Sequence, residues 1–311
     1  MTSVDLQHLR AMIAQHKRYD ILFGVIGLLA TMVGVVTLVV LFVDLLMDGY
    51  PRLTSVFFTS FPSRHPEEAG ILSAWVGTIL VMLTTAMAAI PMGVGAAIYL
   101  EEYAPKNWIT DIIEINVTNL AGVPSIIYGL LALGLFVYIL DFGQSILTAG
   151  LTLGLLILPV IIVATRESLR SIPIAIREAA YALGATRWQM VSDHLLHYSA
   201  GGIMTGIIIG MARAIGETAP IITIGALTFI AFLPPAPYTI DPSTDLPAGL
   251  FDWAFSPFTV LPIQMFNWVS RPQVEFQLNA AATGVVIIIA TLVMNAIAIW
   301  LRYRIRKNIK W

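Results

Sequence analysis

Apolar residues in this chain come in long runs rather than at alternating or heptad spacing. A helix needs roughly 20 mostly apolar residues to cross a hydrocarbon core. Six stretches meet that length: about Ile21–Leu46, Ile71–Leu100, Ile112–Leu140, Ser145–Thr165, Ala200–Phe232 and Ala280–Leu301. Pro91, Pro124, Pro159, Gly206 and Gly210 fall inside them. Membrane helices accommodate such residues because neighbouring segments can satisfy the freed backbone groups. Only the short turn Asp141–Gln144 divides the third stretch from the fourth. The pattern predicts an all-α membrane protein with six transmembrane helices.

The polar residues between the runs orient them. With the N-terminus inside, the inner segments hold Arg10, Lys17, Arg18, Lys106, Arg166, Arg170, Arg177, Arg187, Arg302, Arg304, Arg306, Lys307 and Lys310. The outer segments hold only Arg52, Arg64 and Arg271. Basic residues favour the cytoplasmic side, so both termini are expected there. Met1–Asp20 carries Leu6, Leu9, Ile13 and Ala14 on one face with Arg10, Lys17 and Arg18 interleaved, as an amphipathic helix on the inner leaflet would. The run after it is longer than a secretory signal core, and no cleavage site follows Val43, so it is expected to be retained. Outside, Asp48–Gly70 and Leu233–Asn279 are long and rich in Pro, Gly, aromatics and acids, among them Glu67, Glu68, Asp241, Asp245, Asp252 and Glu275. Phe251–Phe255 and Phe258–Trp268 are either short surface helices, with Trp253 and Trp268 at the membrane interface, or plain loop.

Composition closes off other classes. Hydrophobic residues make up 58% and charged residues 12%, about half the charged share of a soluble domain. The net charge of -2 gives no footprint for nucleic acid. There is no cysteine, which removes disulfides, thiol catalysis and thiolate metal sites. His194 and His197 share a metal-ligand spacing, but no third ligand follows. No G-x-x-x-x-G-K-[ST] loop is present, so ATP hydrolysis is not expected of this chain.

The inner loop between the fourth and fifth runs carries a recognisable device. Pro173 suits the first turn of a helix. Arg177, Glu178, Ala179 and Ala180 follow within it, and Gly184 suits a left-handed stop. Arg177, Arg187 and Trp188 offer polar and aromatic anchors. A short helix with small residues and such anchors fits a groove on another protein.

The fifth run carries a second one, in Gly210-Met-Ala-Arg213-Ala-Ile-Gly-Glu217-Thr218-Ala-Pro220. Arg213 and Glu217 are four apart, on one face if the helix continues. At 1.5 Å per residue from Ala200, Arg213 lies about 20 Å in, near the bilayer middle. A charge there is costly and normally faces a pathway or a protein interior. Two uses are open. The pair is a structural ion bridge, or it is an oxyanion site. A guanidinium can hold an oxyanion by two parallel hydrogen bonds. A neighbouring carboxylate would accept the proton that phosphate keeps at neutral pH, and would repel sulfate. Asn119, Ser125 and Tyr128 place polar groups in the third run, to line a path or to bond between helices. Arg166 and Glu167 end the fourth run, as an inner gate or as a headgroup anchor.

Glu178-Ala179-Ala180, three residues, then Gly184 resembles the EAA motif of binding-protein-dependent ABC importer permeases. The apolar-x-Leu-Pro element that usually follows is replaced by His194-Leu195-Leu196-His197. Further stretches resemble the phosphate-specific, PstA-like branch: Pro91 through Tyr103, Ala121-Gly-Val-Pro-Ser125-Ile-Ile-Tyr128-Gly-Leu, Arg177 through Trp188, and Thr205 through Pro220. The resemblance implies a type I ABC importer transmembrane domain, MetI-like, that translocates inorganic phosphate and is not itself an enzyme. It implies that the EAA loop, with Arg177, Glu178, Ala179, Ala180, Gly184, Arg187 and Trp188, seats on the ATPase. It also implies that the arginine matching Arg213 is needed for transport; the candidate path residues are Arg213, Glu217, Thr218, Asn119, Ser125 and Arg166. The implied partners are a PstC-like second permease, a PstB-like ATPase homodimer that uses ATP and Mg, and a PstS-like phosphate-binding protein. No cofactor is expected on this chain, and its place is a bacterial inner membrane. The expected organisation is a cytoplasmic segment 1–20, a first transmembrane helix 21–46, a permease core 71–303 with five transmembrane helices and the coupling loop 166–197, and a cytoplasmic tail 304–311.

Overall fold

The computed structural model describes residues 3–236, 249 and 251–307, with backbone alone at 3–15 and 305–307. Asp241, Asp245 and Lys310 lie outside the described residues, as do the side chains of Leu6, Leu9, Arg10, Ile13, Ala14, Arg306 and Lys307. The described residues form helices and no strands. This is the outcome expected where the surrounding lipid offers no hydrogen bonds and each segment must satisfy its own backbone.

In chain order the helices are α1 (Ser3–Gly49), α2 (Ser55–Thr59), α3 (Leu72–Ile98), α4 (Trp108–Leu120), α5 (Ser125–Ala132), α6 (Ile146–Arg170), α7 (Ile174–Ala182), α8 (Arg187–Gln189), α9 (Leu196–Ile215), α10 (Ala219–Thr223), α11 (Leu261–Val269) and α12 (Glu275–Lys307). Wide π-helical turns extend α3 through Tyr99–Tyr103, α5 through Leu133–Ile139, and the α8–α9 junction through Met190–Leu195. Among the described residues, five helical rods are long and apolar enough to cross a membrane. A sixth crossing is made if α4 and the α5 rod count as one broken span.

Four expectations change. Met1–Asp20 was expected as a separate surface helix, but α1 runs uninterrupted from Ser3, so no break lets it turn along the leaflet. The third run is not one helix. Its two halves are bent by 108°, because Pro124 has no N–H to donate and stands as the N-cap of α5. The fifth run begins earlier than Ala200, and its helix ends at Ile215 instead of reaching Phe232. Trp268, expected to face the membrane interface, turns into the protein. It is fully buried between Phe57 and Phe276. The two short outer helices do form, at Asp252–Phe255 and in α11.

α6 is the central helix, packed between α3 and α9. Its fit to α9 depends on a stripe of small residues. Gly202, Gly206 and Gly210, each four apart, press against Ser168, Ala164 and Ile157 of α6. Lipid tails are as apolar as Leu, so helices associate in membranes through close packing, which small residues allow. On the other side Gly150 meets Thr84, and Gly93 meets Ile161. The main apolar cluster, including Val81, Leu153, Ile157, Ile221 and Ile263, joins α3, α6, α10 and α11. α1 stands apart. It leans on α12, where the backbone of Gly49 approaches Ala281 and Ala282.

Candidate functional site

The short helix α7 is built as its residues require. Pro173 holds extended backbone at the N-cap. Gly184 turns left-handed with φ +83°. The Gly184 N–H donates to the Tyr181 carbonyl, and the Ala185 N–H to that of Ala180. This paired closure satisfies two carbonyls that the helix end would otherwise orphan. Thr186 and Gln189 then cap α8 reciprocally. The chain leaves the loop through the Met190–Leu195 turn, so no proline is needed there.

The outward surface of this loop carries several large apolar side chains. Ile174, Tyr181, Leu183 and Trp188 are exposed, as are Glu178 and Ala179. Ala180 is buried against Leu169, Met190 and Leu195. Arg177, expected as an outward anchor, points inward. Its Nη2 donates to Glu102 at 2.8 Å and to the Leu169 carbonyl, and its Nη1 to the Ile172 carbonyl. Arg187 lies over the Tyr103 ring, 5.9 Å from its centre.

Beside this loop is a charged network that residue order alone does not reveal. Arg166 is 7% exposed. Its Nε reaches Glu101 at 3.4 Å. Its Nη2 lies 2.5 Å from Glu114, a close ion pair set off the N–H axis. Arg170 donates to both oxygens of Glu101, at 3.0 and 2.9 Å, and approaches Glu114 at 3.8 Å and Glu167 at 3.7 Å. An open cavity of about 400 Å³ adjoins the network, lined by Glu114, Thr118, Asn119, Arg166, Glu167 and Arg170 among others. Asn119 and Arg166, expected on one path, thus share a cavity. Both guanidiniums in it already face carboxylates.

Arg213 and Glu217 meet at a helix end rather than on a helix flank. Arg213 is in the last turn of α9, and Glu217 lies past its end, with Nε to Oε1 at 3.4 Å. The cationic side chain there complements the negative end of the helix dipole. Arg213 faces outward, while Glu217 borders a crevice lined by Thr78, Leu153 and Ile221. That crevice, about 10 Å³, is near the size of one water and too small for an oxyanion. A ligand would therefore meet the pair from the open side. Thr218 follows half-buried, its carbonyl accepting from Ile222.

The two broken segments pack on each other. α10 lies against α5, with Gly129 pressed to Pro220 and Thr223. Tyr128 is buried, and its hydroxyl donates to the Leu120 carbonyl at 2.8 Å, which pins the α4–α5 bend. It also lies within electrostatic range of Arg213. Ser125 opens α5, half-buried, next to the bend. Among the described residues no group of three His, Asp or Glu gathers as a metal site. The sequence reading passed over Glu101, Glu102 and Glu114 as partners. Their signal was the presence of acids on the otherwise basic inner side.

Residues 89–311 match the family of binding-protein-dependent transport system inner membrane components. This chain belongs to that family. The permease is therefore a membrane-spanning transport subunit and not an enzyme, serving a system whose binding protein and ATPase are separate subunits. It is 33% identical over 205 residues to the probable ABC transporter permease protein YqgI of Bacillus subtilis, covering 66% of the permease and 69% of that protein. It is 32% identical over 235 residues to the phosphate transport system permease protein PstA of Yersinia pestis, covering 74% and 77%. It is 37% identical over 161 residues to PstA 1 of Mycobacterium tuberculosis H37Rv, covering 51% and 52%. In fold it is similar to a chain of the inward-facing MetNI methionine ABC transporter, with TM-score 0.55 and 16% identity, covering 76% of the permease and 95% of that chain.

Proposed function

We propose that the permease is the PstA-like subunit of an importer that carries inorganic phosphate into the cytoplasm. The observation that carries this reading is the likeness, over about three quarters of both chains, to a protein named as a phosphate permease. The Arg213–Glu217 pair at the open break of α9 supports it. Arg213 holds the anion, and Glu217 accepts a hydrogen bond from its remaining proton, which selects phosphate over sulfate. Thr218 and Ser125 flank the break, and Asn119 and Arg166 lie at the inner cavity through which the ion leaves.

The α7–α8 surface, with Glu178, Ala179, Leu183 and Trp188 outward, seats on a PstB-like ATPase homodimer that binds ATP and Mg. A PstC-like permease shares the path, and a PstS-like binding protein delivers phosphate to the outer loops. Both termini face the cytoplasm, and this chain carries no cofactor of its own.

The test is labelled phosphate uptake in a host lacking other phosphate importers, with the full set of partners supplied. Uptake that excess sulfate leaves intact, and that Arg213→Ala abolishes without loss of assembly, is the expected result. No uptake by an assembled wild-type complex would sink the phosphate assignment. Glu217→Gln should weaken the preference over sulfate, and an unchanged preference would remove Glu217 from that role.

A further inference from the structure

Glu101 and Glu102 are neighbours on the wide turn that ends α3, yet they serve different elements. Glu102 takes Arg177 of the coupling helix. Glu101 takes Arg166 and Arg170 of α6. Arg166 in turn reaches Glu114 of α4. The Arg177–Glu102 pair is nearly dry, with side chains 17% and 8% exposed. Water screens such a pair far less than a surface one, so its geometry is held firmly. Apolar side chains also join α7 to the turn, through Ile98 and Tyr103. Apolar contacts are non-directional and tolerate sliding, whereas the Arg177 Nε and Nη2 groups converge on one Glu102 oxygen, at 3.2 and 2.8 Å, and constrain distance and direction. Wide turns of this type inside helices often mark functional positions.

The contacts then continue inward. α4 ends at Leu120, whose carbonyl is held by Tyr128 of α5. α5 carries α10, which follows directly from the Arg213–Glu217 break.

We infer that the Glu101–Glu102 turn is the positioning element of this permease, transmitting displacement of the coupling helix through Arg166 and Glu114 to the α4–α5 bend beside Arg213. The inference rests on the reading of α7 as the ATPase-docking helix. Such a chain of contacts is a coupling claim, and it needs a measured coupling.

The complete transporter is reconstituted in vesicles with both permeases, ATPase and binding protein. ATP hydrolysis and phosphate uptake are measured in the same vesicles. E102Q should keep binding-protein-stimulated hydrolysis near wild type while phosphate moved per ATP falls about tenfold. Hydrolysis and uptake falling by one factor in an intact complex would overturn the inference.

A second readout does not depend on which substrate is carried. The chain has no native cysteine. Ser125→Cys is therefore the single thiol of this subunit, and the ATP-dependent change in its labelling rate is read on the permease band after the subunits are separated. That change should vanish on adding E102Q, and its persistence would overturn the linkage. Wild-type vesicles that take up no phosphate, yet show the labelling change, would discard the substrate and keep the linkage. If E102Q complexes fail to assemble, E102C/R177C joined by a short bifunctional thiol cross-linker replaces the ion pair covalently. Bridged complexes that transport support the inference, and bridged complexes that hydrolyse ATP without transport refute it.

Discussion

The tightest contact at the centre of the permease is where α5 meets α10, and Gly129→Ala tests it directly. A β-carbon on Gly129 would fall on the Thr223 hydroxyl and lie 2.7 and 2.9 Å from the α-carbon and carbonyl oxygen of Pro220. Thr223 can rotate only by giving up its hydrogen bond to the Pro220 carbonyl. Pro220 is buried backbone and moves only with the whole of α10. Forcing a methyl into such a contact costs about 1–3 kcal/mol. Replacing Gly in a helix by Ala returns about 0.5–1 kcal/mol. The net loss is then about 0–2.5 kcal/mol, and because two of the contacts are to backbone it should lie in the upper half of that range, a fall of a few degrees in unfolding temperature. The assay is the temperature at which half of the detergent-purified complex loses its monodisperse peak. A fixed heating rate is needed, because unfolding of such complexes is irreversible. Gly95→Ala is the control, since nothing lies within 4 Å of a β-carbon there. It should match or slightly exceed wild type. A shifted α10 also shifts Glu217, so phosphate uptake by Gly129→Ala should fall even at temperatures where the complex is intact. If Gly129→Ala matches Gly95→Ala in both stability and uptake, α5 and α10 do not meet as described.

Three further perturbations address other parts of the fold. Gly184→Ala forces a side chain into φ +83° at the end of α7 and should cost about 1 kcal/mol. The amount of copurified ATPase should drop, and Gly184→Asn, which tolerates that region better, should retain more. Arg52 donates to Asn279 Oδ1 and to the carbonyls of Pro66, Glu67 and Ala69, so it ties the first outer loop to α12. Arg52→Met removes the donor from Asn279 Oδ1 and from the Glu67 and Ala69 carbonyls, while the Pro66 carbonyl keeps the Asn279 amide; the cost is about 2–3 kcal/mol, and trypsin should cut after Arg64 several-fold faster as the loop opens. Arg166→Leu strips a 7%-exposed guanidinium from Glu101 and Glu114 and should destabilise by about 1–3 kcal/mol, because Arg170 remains on both carboxylates. Adding Glu114→Gln should recover part of that loss in thermal stability, and no recovery would mean that the two side chains do not share a charge balance.

Much of this permease was legible in its sequence because lipid leaves the backbone few choices. A run of apolar residues long enough to cross must close its own hydrogen bonds as a helix, so the rods of α1, α3, α6, α9 and α12 follow from hydropathy and length. Helix α7 was legible for a local reason. Pro173 and Gly184 act through their own backbone dihedrals, and these need no distant partner. Hydropathy is blind to direction, however. It reads Ile112–Leu140 and Ala200–Phe232 as continuous, although Pro124 bends the first and the second breaks after Ile215. Whether such a break becomes a slight kink or a 108° turn depends on what packs into it, here Tyr128 on Leu120 and Gly129 on Pro220. The charged groups divide in the same way. Arg213 and Glu217 are four residues apart, and their pairing was visible at once. Arg166 lies 65 residues from Glu101, and Arg177 lies 75 from Glu102. No periodicity links residues so far apart. Only the packing of α3, α4, α6 and α7 brings them together, and with so little water among them each guanidinium is held by the carboxylate the fold delivers.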